Sequence, residues 1–388
     1  MRSLSELLTE PKGAAYLEER GIFLDEAAFS ERLAPPARPE LTDHLGLTRD
    51  VRLVYVGQQV CSDMGAATAA KFASARELGK DGHGVAPVVL WHDMDSTQSE
   101  RFGARVVLPS QKRARGLWLA PRDLEDLEPR FIPVRRERLE AVINDMRGWV
   151  DQFRNDDRAS ARERVDRLAE ALLGEDIETL ADANRALATL LLREELGFDP
   201  PATSASDMLA DGLLIDSVSE YIARIDEVVA VFNGAVEGLV AAEIDPQVRP
   251  LPDDYLPLRF SCPEDGGRVR LVSERRGEDL HAVADCRCGA RHEFNLGNGP
   301  PDLGELVETG RWSIDVSMPV HHNALASGWV GGRSTALYGL VFNEVLEKAL
   351  GQQPIPVLVP RDLGQDEDAD TLLVRYLVNA PVAAGAAH

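Results

Sequence analysis

The 388-residue sequence predicts an α/β fold: a parallel sheet of the Rossmann type, interrupted by a helical insertion and by a small cysteine-bearing ribbon. Three observations predict it. "RLVYVG" (52–57) and "APVVLWHD" (86–93) are apolar, β-rich runs separated by a helical stretch from about 65 to 79, the βαβ pattern that builds parallel sheets. From about 135 to 243 apolar residues recur at three- and four-residue steps, the mark of long amphipathic helices. Three of the four cysteines then fall within residues 258–296.

Residues 1–50 read as short helices ending in the proline-rich "LAPPARPEL". Residues 51–134 form the first half of the sheet, and both of their strands end in polar residues, where open α/β sheets bind ligands. The first strand runs into "VGQQVCSDMG", which places Gly57, Gln58, Gln59 and Gly65 before a helix that carries Lys71. A helix N-terminus offers backbone N–H groups without intrahelical partners and about half a positive charge, so this turn suits an anion such as phosphate. The plainer reading is that Gly57 only makes the turn. Asp93 and Asp95, beside His92 at the second strand end, suit an ammonium group or Mg2+, or else cap the following helix. Cys61 reads as a small buried hydrophobe in preference to a reactive thiol.

In the helical insertion, 135–245, Leu139, Val142, Ile143, Met146, Val150 and Phe153 form one apolar stripe. Val218, Ile222, Ile225, Val229, Phe232 and Val236 form another, and both read as ordinary core. The connection "DPQVRPLPDDYLPL" leads into a ribbon, 246–300, with the knuckles "FSCPEDGG" and "VADCRCGARHEF". So small a unit lacks a core of its own, and a zinc ion held by Cys262, Cys286 and Cys288 is expected to supply one, the plainer reading being reduced thiols without metal. Asp265 stands where a regular ribbon has its other cysteine; His292 and His281 compete with it as fourth ligand. A site with four protein ligands is structural, since no position remains for water.

The α/β pattern resumes over 301–362. "RWSIDVSMPV" reads as a strand and turn, "SGWVGGRSTALYGLVFNEVLEKALG" as a strand, a turn and a long helix, and "PIPVLVPRD" as the last strand. Gly331 and Gly332 permit close backbone approach and Arg333 opens the helix, which repeats the anion-site logic of the first turn. Residues 363–388 read as a tail containing the solvated "GQDEDAD".

Forty-two basic against 65 acidic residues give a net charge of −23, which repels a polyphosphate backbone and argues against tRNA or other nucleic-acid partners. The opening "MRSLSELLTEPKG" lacks the apolar core of a signal peptide, and no run approaches the ~18 apolar residues of a membrane span. A cytoplasmic protein without membrane contact is expected. No residue pattern specifies an oligomeric state.

"VGQQVCSDMG…K" followed by "PVVLWHDMDS", together with "WVGGRSTALYG", resembles the bacillithiol-biosynthesis cysteine-adding enzymes; Gly332 and Tyr338 match that family's later glycine turn and downstream tyrosine. The run "CPEDG…CRCGARHEFNLGNG…RWSIDVSMP…GGRS" separately resembles archaeal-type class I lysyl-tRNA synthetases, whose zinc insert precedes the second half of the core. The resemblance implies a class I synthetase-like Rossmann core, ATP as substrate with Mg2+, and an acyl adenylate. It also implies that an amino acid, with cysteine one candidate, is joined to the amine of a small molecule or carrier. In that reading Gln58 and Gln59 are neutral donors to phosphate, Lys71 and Arg333 are cations, and Asp93 and Asp95 hold the ammonium or Mg2+. His322, next to His321, is a candidate general base for the incoming amine. No HIGH-like or KMSKS-like motif accompanies these segments, and only 28 residues follow Pro360, too few for an anticodon-binding domain. The expected function is therefore an amino-acid ligase without tRNA. The alternative is a catalytically silent relative that binds a nucleotide or amino acid as a regulatory or scaffold protein.

Overall fold

The computed structural model describes residues 6–7, 10–35, 38–48, 50–61, 63–80, 84–95, 105–108, 115–120, 126–152, 155–174, 176–315, 326–360 and 371–378. Two units are formed, each from three stretches of chain. Met1–Gly57, Glu77–Leu90 and Pro201–Arg361 make the first, and Gln58–Arg76, Trp91–Pro200 and Asp362–His388 make the second.

The first unit contains a six-stranded, all-parallel sheet. Its strands are β1 (Ile22–Phe23), β2 (Arg52–Gln59), β3 (Val85–His92), β6 (Ala202–Ser204), β12 (Gly328–Val330) and β13 (Val357–Leu358), in the spatial order β1-β13-β12-β2-β3-β6. Leu53, Val54, Tyr55 and Val56 are completely buried, as expected of a parallel strand whose two faces are both covered. From β2 the chain steps through β3 to β6 on one side, whereas β12 and β13 lie on the other, so the strand order reverses between β2 and β12. The register there pairs Val54 with Gly328, Tyr55 with Trp329 and Val56 with Val330, all parallel. The Tyr55 and Trp329 rings meet at 5.4 Å across this junction.

Helices α1 (Pro11–Glu18), α2 (Glu26–Arg32) and α3 (Pro39–His44) occupy the N-terminal stretch, and α4 (Ala66–Lys80) connects β2 to β3. Within the region read as a helical insertion, α8 (Ala205–Ala210), α9 (Ile215–Ala223) and α10 (Ile225–Ala241) belong to the first unit. Helix α10 packs on α12 (Arg333–Glu344), with Phe232 and Phe342 5.9 Å apart. That same region also supplies the edge strand β6. Only three residues long and reading Ala-Thr-Ser, it has no apolar run by which a strand could be recognised.

A second, antiparallel sheet in this unit comprises β7 (Tyr255–Ser261), β8 (Arg268–Arg276), β9 (Asp279–Asp285), β10 (Arg291–Gly297) and β11 (Trp312–Ile314), ordered β10-β9-β8-β7-β11. Short α11 (Gly304–Glu308) follows β10. The sheet reaches beyond the stretch read as the ribbon, because Trp312 of β11 pairs with Phe260 of β7. On its exposed side Arg276 meets Glu293 at 2.7 Å, and Arg291 meets Glu274 at 2.6 Å and Asp285 at 2.9 Å.

The second unit contains the hairpin β4 (Arg105–Leu108) and β5 (Arg115–Trp118) and the helices α5 (Arg136–Val150), α6 (Asn155–Leu172), α7 (Leu180–Leu196) and α13 (Leu372–Val378). The α5 stripe is buried at Leu139, Val142, Ile143, Met146 and Val150; Phe153 lies outside the described residues. Helix α7 begins with a capping box in which Thr179 and Asp182 bond each other's backbone, and it ends at Gly197. Residues 363–388 read as a tail, yet 372–378 form α13, which buries Leu372, Leu373, Tyr376 and Leu377 and packs on α6 and α7. The Tyr376 hydroxyl accepts from Arg167 Nε at 3.2 Å. "GQDEDAD" lies outside the described residues. Among the described residues, no helix is long and apolar enough to cross a membrane.

Candidate metal centre and strand-end sites

The β7–β8 turn carries Cys262 and Asp265, and the β9–β10 turn carries Cys286 and Cys288. Each knuckle is closed by its own backbone. Cys262 N–H donates to Gly267 O at 3.0 Å and Gly266 N–H to Cys262 O at 2.9 Å, while Cys286 N–H donates to Ala290 O at 2.8 Å and Gly289 N–H to Cys286 O at 3.0 Å. Gly266 has φ +71°, a left-handed conformation that glycine adopts without steric cost.

These turns bring the donor atoms together. Cys262 Sγ lies 3.6 Å from Cys288 Sγ and 3.8 Å from His292 Nε2. The 3.6 Å separation is far longer than the ~2.05 Å of a disulfide bond. Two thiolates about 2.3 Å from one tetrahedral ion sit about 3.8 Å apart, and a thiolate and an imidazole nitrogen about 3.6 Å apart, so both spacings match tetrahedral edges. Cys262, Cys286 and His292 form one set of mutually close ligand atoms, and Cys262, Asp265 and Cys288 form another. His281 on β9 belongs to neither set. Burial, then the neighbouring Cys262, pushes the Cys286 thiol up to about 12. A backbone N–H from Gly267 to Asp265 Oδ1, at 2.9 Å, is the largest influence holding the Asp265 carboxyl below its ordinary range. Crowded thiols and a carboxylate are the donor set a divalent soft metal stabilises by withdrawing their protons.

In the second unit the polar ends of β2 and β3 hold each other. Lys71 Nζ donates to Gln58 Oε1 at 2.7 Å, and both residues are only 8% exposed. Gln59 Nε2 donates to Asp95 Oδ2, and this pair is half-buried. Asp93 is buried. His92 is half-buried, and desolvation, aided by the Lys71 charge, depresses its imidazole to about 4. Cys61 donates to Asp63 O at 3.0 Å, and burial pushes its thiol up to about 12, which suits the small-hydrophobe reading. Gly65 precedes α4, whose Ala69 N–H donates to its carbonyl at 3.0 Å. Sequence reasoning overlooked Asp63. Its Oδ1 accepts from Met64 N–H at 2.8 Å and Leu373 N–H at 3.2 Å, while burial raises the carboxyl to about 6. The signal was a lone acid in the "CSDMG" turn, and nothing local announces that the C-terminal helix reaches it.

In the first unit, Gly57 and Gly331 follow the paired residues Val56 and Val330 at the point where strand order reverses, but the turn expected at Gly57 is not there: β2 continues through Gln59, whereas Gly331 and Gly332 lie just past the end of β12. Gly331 N–H donates to Leu358 O at 2.9 Å, and a Cβ there would lie 2.3 Å from Thr335 Cβ, so only glycine lets the backbone pass this close to α12. Gly332 occupies the N-cap position without a side-chain cap. Arg333 opens α12, and its side chain lies outside the description. The Tyr338 ring, half-buried, stacks on Phe342 at 5.7 Å. His321 and His322 lie outside the described residues. No protein-family model matches the chain, and no curated protein matches it significantly.

Proposed function

We propose that this chain is an ATP-dependent amino-acid ligase of the class I synthetase-like type, joining an amino acid to the amine of a small molecule or carrier through an acyl adenylate. The observation that supports the reading is the placement of Gly57 in the last residues of β2 and of Gly331–Gly332 just past β12, on either side of the strand-order reversal. In open α/β sheets that crevice is where ligands bind, and glycines there let a nucleotide approach the backbone. Asp95, oriented by Gln59, is the acceptor for the amino acid's ammonium group or for Mg2+. By the resemblance, Lys71 in the second unit and Arg333 in the first are each read as a cation for phosphate, and α-phosphate and leaving pyrophosphate take on charge that preorganised donors stabilise. The cysteine cluster is read as a structural zinc site, with Cys262, Cys286 and Cys288 as thiolates and the fourth position filled by Asp265 or His292.

One observation favours a second reading. Lys71 is buried and engaged by Gln58, which suits a protein that holds a nucleotide or amino acid without turning it over. ATP–pyrophosphate exchange screened across the twenty amino acids separates the two. Exchange dependent on one amino acid and abolished by Asp95→Asn supports the ligase, whereas nucleotide binding without any exchange supports the silent relative. Charge argues against tRNA in either case, so salt-resistant co-purification of one tRNA species would overturn both assignments of partner.

A further inference from the structure

A groove of about 1110 Å³ opens in the second unit, and none of its described lining residues was assigned a role above. Its floor is apolar, with buried Leu119, Ala120 and Ile132, and half-buried Trp118, Leu127 and Phe131 stand around it. The volume lies just above the ~300–1,000 Å³ typical of small-molecule sites.

The groove's rim is basic in a strongly acidic chain. Arg135 and Arg138, both exposed, line it at the start of α5, and neither pairs with a carboxylate among the described residues. Arg136, which does not line the groove, is paired with Glu140 at 3.4 Å. Arg138 Nε donates to Trp118 O, which fixes the guanidinium stem along the groove's edge and leaves its terminal N–H groups for another acceptor. These arginines also oppose the helix dipole, because the first turn of a helix favours acidic side chains. Glu137 is the one acidic residue among the described lining residues. Two cations kept at an unfavourable place, beside an apolar floor, match a ligand with an acidic head and a hydrocarbon body.

We propose that this groove binds a small amphipathic organic anion, an alkyl or aryl carboxylate, with the carboxylate on Arg135 and Arg138 and the apolar body against Trp118, Leu127 and Phe131. Guanidinium and carboxylate are geometrically matched, and the arginine stems extend the apolar wall. The site does not depend on the ligase reading.

The test is calorimetric titration of the full chain with decanoate below its micelle threshold, with decylammonium and decanol as probes of the same length. Expected are saturable one-to-one binding of decanoate, weaker binding of decanol and none of decylammonium. In the double variant Arg135→Met/Arg138→Met, decanoate affinity should fall about tenfold to a hundredfold, the loss expected for hydrogen bonds to a charged group, with decanol unchanged. Phe131→Asp should weaken both. Both arginines are exposed, so an unchanged melting temperature shows that the double variant is folded. Absence of saturable decanoate binding, equal binding of decylammonium, or decanoate affinity untouched by the double variant would each overturn the proposal.

Discussion

Replacing Asp63 by Asn should stabilise the protein at neutral pH by an amount that disappears in acid. Asp63 Oδ1 accepts backbone N–H bonds from Met64 and Leu373, which asparagine's carbonyl oxygen can also accept, and burial of the carboxyl outweighs the lowering influence of these bonds and of the Thr371 hydroxyl. Burial raises the carboxyl from 3.8 to about 6, so between those values the folded state holds a proton that the unfolded chain has lost. Stability from this group therefore falls as pH rises from about 4 to 6 and stays low above that. At about 1.4 kcal/mol per pH unit, the interval amounts to about 3 kcal/mol. The assay is urea unfolding of parent and variant at several pH values, followed by circular dichroism. The variant's advantage should be near zero at pH 4, grow to about 3 kcal/mol by pH 6, and be flat beyond. His92 is depressed to about 4, so its contribution is present above its ordinary 6.5 and is lost as pH falls toward 4; it occurs in both proteins and cancels in the difference. A gap independent of pH would refute the reasoning, as would a variant less stable than its parent at pH 7.5.

Elemental analysis of the purified chain should find about one zinc per molecule. Cys286→Ser should lose it and loosen the β7–β10 sheet while the parallel sheet persists, read by amide exchange in the two sheets. Gly331→Ala should destabilise by about 1–3 kcal/mol, because its Cβ would lie 2.3 Å from Thr335 Cβ; denaturant melts check this. If the strand-end residues handle ATP, Gln59→Ala should slow pyrophosphate exchange and Lys71→Ala should slow it more, by about tenfold or greater, since hydrogen bonds to charged groups are worth about 1.5–3 kcal/mol. Exchange unchanged in both variants would assign Gln58, Gln59 and Lys71 a purely structural role.

The parallel sheet was legible where strands are long and buried on both faces. β2 and β3 announce themselves as apolar runs, and α5 by its periodicity. β6 was not, since three residues at a sheet edge need no apolar pattern and are placed by the neighbouring β3. α13 was passed over because its seven residues gain order from α6 and α7, contacts no local pattern records. At the sites, the cysteine knuckles were readable because ligand spacing is a local property. Asp265 and His292 both fall beside the thiols, as two turns from different hairpins converge. The pairings Lys71–Gln58 and Gln59–Asp95 were beyond reach of the sequence, because they depend on how far a folded side chain reaches across neighbouring strand ends.

The register of β1 bears on how the protein is made. Ile22 and Phe23 pair with Val357 and Leu358, at the opposite end of the chain. At about 5–20 residues per second, a ribosome needs tens of seconds between making the two strands. During that time β1 has no sheet to join, and β12, which separates β13 from β2, is likewise missing until late in synthesis. The six-stranded sheet can therefore close only once Leu358 has been made, so of its six strands β1 waits longest for its partner.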